Sequence, residues 1–325
     1  FYSRKIQSDP NDSLAHLRLG YSYRAGRQFQ KALKEFDQTV TLDPKSALAH
    51  YEFADLLSLT QDYEKAIAEF REAIRLKPDF VEPYFGLDAI YVTLRNYEEA
   101  IRICKEAARI RPELDVLKVA YGRIAMINKF MGRKEERIGA LRLLAGVEKE
   151  LLEIDPDALV GPQTSLNQAA DLSQETGRNE DARELYKESI ALDHDYEETY
   201  HSFLQLANLA KKLGRIDESE RCYDQIAAMT GKLLKETKDS SGKGEGYYRL
   251  GIISERRGRE KEALELYLKS TKMRPSHART HRALARLYSK AGKQKLADTE
   301  NGIAKKLEEA AERELDFVRS LGKQK

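Results

Sequence analysis

Tryptophan is missing from this chain, and cysteine and proline are scarce, with two and eight residues among 325. Cys104 and Cys222 lie far apart and form no CxxC pair, which argues against a disulfide framework or a zinc site. Both read as small core hydrophobes. Neither sign of charge dominates: 56 basic against 54 acidic side chains leave a net +2. A balance this even excludes nucleic-acid binding through a bulk field and requires any basic patch to be local. No apolar run approaches the roughly 18 residues that a membrane-spanning helix needs, and no charged-then-apolar leader opens the chain. The compartment is left unassigned, with the cytoplasm favoured over a periplasmic or membrane-associated setting reached through a segment upstream.

What is abundant is charge and helix-forming side chains. Charged residues make up 34% of the chain and hydrophobic ones 41%, a balance suited to long amphipathic helices. The length exceeds one ordinary compact core, so several domains or an elongated array are expected. Proline decides between them, because Pro10, Pro44, Pro78 and Pro112 recur at intervals of 34 residues. Within each interval the same residue types return. Leu19-Gly20, Phe53-Ala54 and Leu87-Asp88 share one phase, and Tyr23, Leu57 and Tyr91 follow four residues on. Ala32, Ala66 and Ala100 come later, each followed after four residues by Phe36, Phe70 or Cys104. Apolar residues at three-to-four spacing form one helical face, and the small residues let two antiparallel helices approach closely. Each period is therefore a helical hairpin, with turns such as Ala25-Gly26-Arg27 and a second helix that stops before its proline. Asp79 with Glu82 and Asp195 with Glu198 read as capping pairs.

These residues resemble the tetratricopeptide repeat pattern of large-x2-Leu-Gly-x2-Tyr, then Ala-x3-Phe, then Pro, matched closely over residues 13 to 112. The pattern returns with Leu250-Gly251, Gly258, Ala263, Tyr267 and Pro275, and again with Leu284-Ala285, Tyr288, Gly292 and Ala297. The resemblance implies an all-α, right-handed superhelical solenoid of about eight hairpins closed by an extended C-terminal capping helix. Residues 1–10 read as the end of a preceding repeat helix, which implies that the natural chain continues upstream, and 11–112 as three regular repeats. Residues 113–246 read as irregular, extended repeats with a Gly/Ser loop at 238–246, and 247–325 as two repeats plus the cap. Irregularity shows in the 44 residues between Pro112 and Pro156 and in His194, which stands where proline is expected.

No catalytic constellation emerges. The segment Ser240 to Gly246 lacks phosphate-loop spacing and reads as a flexible linker between hairpins. His277 and His281 have the i, i+4 spacing of two metal ligands, but His16, His50 and His281 share one repeat phase that packs between helices, so no metal is assigned. Paired carboxylates such as Glu98-Glu99 sit on solvated faces. The expectation is a non-enzyme without cofactor.

The resemblance further implies that the first helix of each hairpin lines a concave groove. The groove-facing positions hold Leu17, Tyr21, Tyr51, Phe85, Ala89, Val92, Val119 and Met126 in the early hairpins. Later ones hold Asn167 and His201, then Tyr248, Arg249, Arg256, Arg282 and Arg286. A groove running from apolar through polar to basic would suit a protein or peptide partner with apolar anchors and an acidic portion. The family's carboxylate clamp for chaperone tails is absent, since its positions hold Leu17, Tyr21, Glu52, Glu82 and Gly86. The function expected is a protein-interaction scaffold or adaptor. A regulatory or assembly module of a larger membrane-anchored or enzyme-linked protein is the alternative. An RNA-binding array, drawing only on the C-terminal arginines, comes third.

Overall fold

The computed structural model describes residues 2–158, 161–192 and 195–322, with side chains as far as Asp316; His194 lies outside the described residues. Among the described residues a short helix, α1 (Tyr2–Ser8), precedes eight helical hairpins. They are α2 (Ser13–Ala25) with α3 (Phe29–Leu42), α4 (Ala47–Leu59) with α5 (Tyr63–Leu76), α6 (Glu82–Thr93) with α7 (Tyr97–Ile110), and α8 (Leu114–Phe130) with α9 (Lys134–Ile154). The series continues with α10 (Pro162–Glu175) and α11 (Asn179–Leu192), α12 (Tyr196–Lys212) and α13 (Ile216–Glu236), α14 (Ser240–Arg256) and α15 (Glu260–Met273), and α16 (Ala278–Lys290) and α17 (Gln294–Gly322). All regular structure among the described residues is helical. Two compact units divide the chain, Phe1–Thr199 and Tyr200–Lys325. In unit 1 second helices pack on the next first helix, α3 on α4, α5 on α6, α7 on α8 and α9 on α10; in unit 2, α13 packs on α14 and α15 on α16.

One contact repeats through both units. Ala32 and Phe36, Ala66 and Phe70, Ala100 and Cys104, Ala182 and Tyr186, and Ala263 and Tyr267 are all sealed from solvent. The ring in this pair reaches the facing first helix at its small residue. A Cβ on Gly20 would lie 2.5 Å from the Phe36 ring, and one on Gly251 would lie 2.5 Å from Tyr267. A larger side chain at either glycine would push the hairpin apart, and truncating such a ring costs about 3–5 kcal/mol. Both cysteines are buried and neither is in a disulfide, in keeping with their core reading.

The repeated histidines clamp the hairpin's entry. His16, His50 and His281 each hold a carboxylate of the second helix through Nδ1, from Glu35, Glu69 and Glu300, at 2.7, 2.6 and 2.5 Å. Nε2 of each holds the carbonyl of the preceding proline, Pro10, Pro44 or Pro275. Both partners are acceptors, so at His50 the full pair of bonds favours the protonated ring. In the third hairpin the Tyr84 hydroxyl donates to the Pro78 carbonyl instead.

The turn expected at Ala25-Gly26-Arg27 lies between α2 and α3, with Gly26 as the residue after the helix end. That residue is not the left-handed one (φ −80°); the left-handed position falls on Arg27 (φ 54°), Gln61 (φ 67°) and Arg95 (φ 57°), and on glycine in the other five hairpins. Each turn closes with the same backbone bond, such as Gln28 N–H to the Tyr23 carbonyl.

Two further expectations differ from the structure. Asp79 does not cap α6, which starts at Glu82 with no side-chain cap. The residue one period after the caps Asp12 and Ser46 is Phe80, whose ring packs on Tyr51 at 5.1 Å instead. Asp195 does cap its helix, accepting the Glu198 N–H at 2.9 Å. The loop expected at 238–246 is instead largely helix, because α14 begins at Ser240 under an Asp239 cap. Its glycines serve close packing: a Cβ on Gly244 would lie 2.6 Å from Arg274, and one on Gly246 would lie 2.7 Å from Leu234. The final helix has the character of a cap, with Ala297 and Ala304 buried and Lys305, Lys306, Glu308, Glu309, Glu312, Arg313 and Glu314 exposed.

Two stability predictions follow from these local features. Arg27→Gly, Gln61→Gly and Arg95→Gly each relieve left-handed strain and stabilise by roughly 1 kcal/mol, read as raised melting temperatures. The Glu69 bond raises the pKa of His50 above its ordinary 6.5, although burial opposes the shift. A raised folded pKa gives stability that is complete below 6.5 and declines as pH rises through the folded value. Thermal melts should show a decline of this kind above pH 6.5 in the native protein, with a flatter profile in His50→Phe.

Candidate functional site

In unit 1 the first helices α2, α4, α6 and α8 lie side by side, tied by contacts that cross from one to the next. Arg24 of α2 reaches Glu52 (3.0 Å) and Asp55 of α4. Tyr51 of α4 packs on Phe80 at the entry to α6. Arg123 of α8 pairs with Asp88 of α6, and its guanidinium lies 5.6 Å over the Phe85 ring. Helical spacing gathers one stripe on each helix: Leu14, Leu17, Tyr21 and Arg24; then Leu48, Tyr51 and Asp55; then Phe85, Ala89 and Val92; and finally Val119, Arg123, Met126 and Phe130.

The stripe is not uniformly open. Ala89, Val119 and Met126 are exposed, and Val92 is half-buried. Tyr21, Tyr51 and Phe85 are half-buried: Tyr21 meets Phe36 edge-on at 5.7 Å, and Tyr51 packs between Phe70 and Phe80. Burial and the neighbouring Glu52 carboxylate hold the Tyr21 phenol well above its ordinary range, and burial likewise raises Glu52. Leu17 is buried, which corrects its expected place on an open groove. Sequence reasoning passed over Leu14, Leu48 and Phe130, which are 54%, 46% and 57% exposed. The signal was available, since Leu14 and Leu48 stand three residues before Leu17 and Tyr51 on the same face.

The polar and basic positions are mostly engaged within the chain. Asn167 is buried and donates to the Glu198 carboxylate at 2.7 Å, so it is a structural tie and not an open polar contact. In unit 2, His201 is half-buried. Tyr248 packs on Tyr267 and, edge-on at 4.7 Å, on His277. Arg249 is buried, with its guanidinium over Tyr200 and a bond to Glu245, which removes it from any basic surface. Arg256 is exposed and donates to Asn208. Arg282 grips Glu308, and Arg286 holds Glu255 with two bonds of 2.8 Å. Glu255 in turn accepts the Tyr267 hydroxyl, so the Arg286 pair continues into the core.

The pair Asp88–Arg123 stands apart because Asp88 occupies the small-residue phase of Gly20 and Ala54 and is fully buried. Burial raises its pKa, and Arg123 opposes that shift. Cys104, one helix away in the ring slot, is a smaller residue than Phe36 or Phe70 and leaves room for the carboxylate.

Models of the tetratricopeptide repeat match residues 17–79, 204–278 and 89–114, together about half of the chain. On this match the chain belongs to the tetratricopeptide repeat family. No curated protein matches the sequence. Among solved structures, MamA is 22% identical over 47% of this chain and 87% of its own, with a TM-score of 0.44. YrrB, described as a TPR protein with an unusual peptide-binding site, is 15% identical over 76% of this chain and 96% of its own, at 0.35. The structure of Naa15/Naa10 bound to HypK-THB is 18% identical, covering 94% of this chain and 55% of that one, at 0.34.

Removing Arg123 tests the buried pair. Arg123→Ala strands the Asp88 carboxylate and should destabilise by about 2–3 kcal/mol. The raised carboxylate pKa means that the loss is smallest near or below pH 3.8, where Asp88 is protonated, and grows as pH rises. Denaturant melts at pH 4 and pH 7 measure this, and adding Asp88→Ala, the residue Ala54 supplies in the same phase, should restore most of the loss.

Proposed function

We propose that this protein-interaction scaffold seats a polypeptide segment of a partner on the face of unit 1 built by α2, α4, α6 and α8, through apolar anchors. Membership of the family supports the general role, since tetratricopeptide repeat proteins are generally non-catalytic scaffolds for other proteins. One observation carries the finer reading: five large apolar side chains on this face, Leu14, Leu48, Val119, Met126 and Phe130, are each more than 40% exposed. Large apolar side chains left exposed on one face mark contact surfaces. The half-buried rings of Tyr21, Tyr51 and Phe85 form a rigid floor beneath the anchors, where flat rings bury large area at little entropic cost.

An acidic portion of the partner has less support. Arg282 and Arg286 already hold Glu308 and Glu255, so a partner carboxylate would have to displace these internal bonds. The same pairing weakens the case for RNA, whose phosphates need uncommitted cations.

Leu48→Glu and Met126→Glu change exposed side chains and should leave helicity intact. Each should weaken capture of the principal partner by at least about tenfold, given the usual weight of central anchors. Affinity capture by native and variant proteins, with the recovered partner then titrated as a purified protein, provides the measurement. Unchanged affinity in both variants would exclude this face.

A further inference from the structure

Six lysines of unit 2 stay unneutralised where α13, α14 and α15 come together. Lys232 and Lys235 stand in the closing turns of α13, Lys238 in the link to α14, Lys243 in the opening turn of α14, and Lys269 and Lys272 in the closing turns of α15. Contacts between the helices gather them. The Ser240 hydroxyl donates to the Met273 carbonyl at 2.7 Å, which brings the start of α14 to the end of α15. Lys269 Nζ lies 6.0 Å over the Tyr247 ring, and Lys243 precedes Tyr247 by one turn on the same stripe of α14. Gly246 meets Leu234 of α13. None of the six lysines pairs with a carboxylate of the described residues. Five are exposed and Lys243 is half-buried.

The carboxylates around them do not cancel this charge. Glu245 is held by Arg249 and Arg274, and Asp239 accepts the Gly242 amide as the cap of α14. Glu236 and Glu265 are exposed beside the lysines. Seven basic side chains, Arg274 included, against these four acidic ones leave +3, more than the +2 of the whole chain.

The repeat does not require such a set. Lys269 and Lys272 follow the packed Tyr267 by two and five residues, positions that hold Glu72 and Arg75 after Phe70, and Glu106 and Arg109 after Cys104. Glu72 and Arg75 are joined by two hydrogen bonds. In α15 that attraction has become a repulsion between like charges at i, i+3, and Lys232 and Lys235 repeat it on α13. The helix dipole favours Lys235 and Lys272 in closing turns, but it opposes Lys243 in an opening one.

The surroundings select the kind of anion. The unpaired cations are all lysines, point charges on flexible stems, without the arginine fork that fixes a single phosphate or base. Tyr247, the ring in their midst, is half-buried beneath Lys269 and offers no open platform for stacking bases. Leu268 and Met273 flank Lys269 and Lys272 and are 37% and 38% exposed. Lysines set around exposed aliphatic side chains suit an anionic bilayer, where ammonium groups meet headgroups and the aliphatic ones enter the acyl boundary.

We propose that this lysine-rich corner of unit 2 binds the surface of membranes containing anionic phospholipids. The lysines supply most of the attraction, each worth roughly fivefold in binding, and Leu268 and Met273 add shallow insertion.

Flotation of the full chain with lipid vesicles tests this. Phosphatidylcholine vesicles carrying about one-third phosphatidylglycerol should bind the protein at about 0.05 M salt and release most of it at about 0.5 M, whereas phosphatidylcholine alone should not bind it. Lys232→Glu combined with Lys269→Glu should weaken binding at least about tenfold. Both side chains are exposed, and Lys269→Glu restores the acid–base order of Glu72 and Arg75, so circular dichroism should remain native. Lys232→Arg combined with Lys269→Arg keeps the charge and should bind as the native chain does. Leu268→Ser should weaken vesicle binding about threefold. Leu48→Glu, on the partner face of unit 1, should leave vesicle binding unchanged, so the two proposals fail separately. Equal binding to neutral vesicles, binding that survives Lys232→Glu with Lys269→Glu, or displacement from anionic vesicles by poly(U) RNA at equal phosphate concentration would overturn the assignment.

Discussion

The structure depends on one packing contact: a large ring on the second helix of a hairpin seated over a small residue on the first. Phe36 over Gly20 and Tyr267 over Gly251 set how closely two helices approach, and that separation fixes where the next hairpin stacks. Variation within this slot accounts for much of the polar chemistry around it. Where the ring shrinks to Cys104, a carboxylate enters at Asp88 and draws Arg123 across from α8. Where the ring becomes tyrosine, its hydroxyl needs an acceptor from the first helix, as Tyr186 finds in Asp171 and Tyr267 in Glu255. Burial without such a partner would cost more than the ring's packing could readily offset.

Much of this architecture could be read from the order of residues. The 34-residue spacing of prolines and the recurring alanines placed the hairpins, because close packing between neighbours admits few side chains at those phases. The third hairpin's entry and the stretch from Ser240 to Gly246 were harder. Phe80 gives up a cap to lie against Tyr51, a tertiary exchange that local capping rules do not contain. The glycines at 244 and 246 imitate a linker, but they let α14 approach Arg274 and Leu234 more closely than any other residue would allow.

The candidate face was legible as a phase and less so as a surface. Tyr51, Phe85, Val119 and Met126 lie on one stripe as their spacing implied. Whether each is open depends on the size of side chains from neighbouring helices, which is why Leu17, Asn167 and Arg249 are buried. Charge was the least legible property. Arg286 finds Glu255 across 31 residues and Arg282 finds Glu308 across 26, so a basic run in the sequence becomes a set of neutralised pairs. Periodicity reports which face a residue occupies; pairing between distant segments decides how much of its charge remains for others.

Hairpin 4 is longer than its three predecessors, with α8 extending over 17 residues and α9 over 21. Its first helix serves as a party wall, contributing Met126 and Phe130 to one side and Ile124 and Asn128 to the other. Residues on both of its sides are therefore fixed to one rigid element, so a partner on the first-helix face that displaced α8 would carry Ile124 and Asn128 with it.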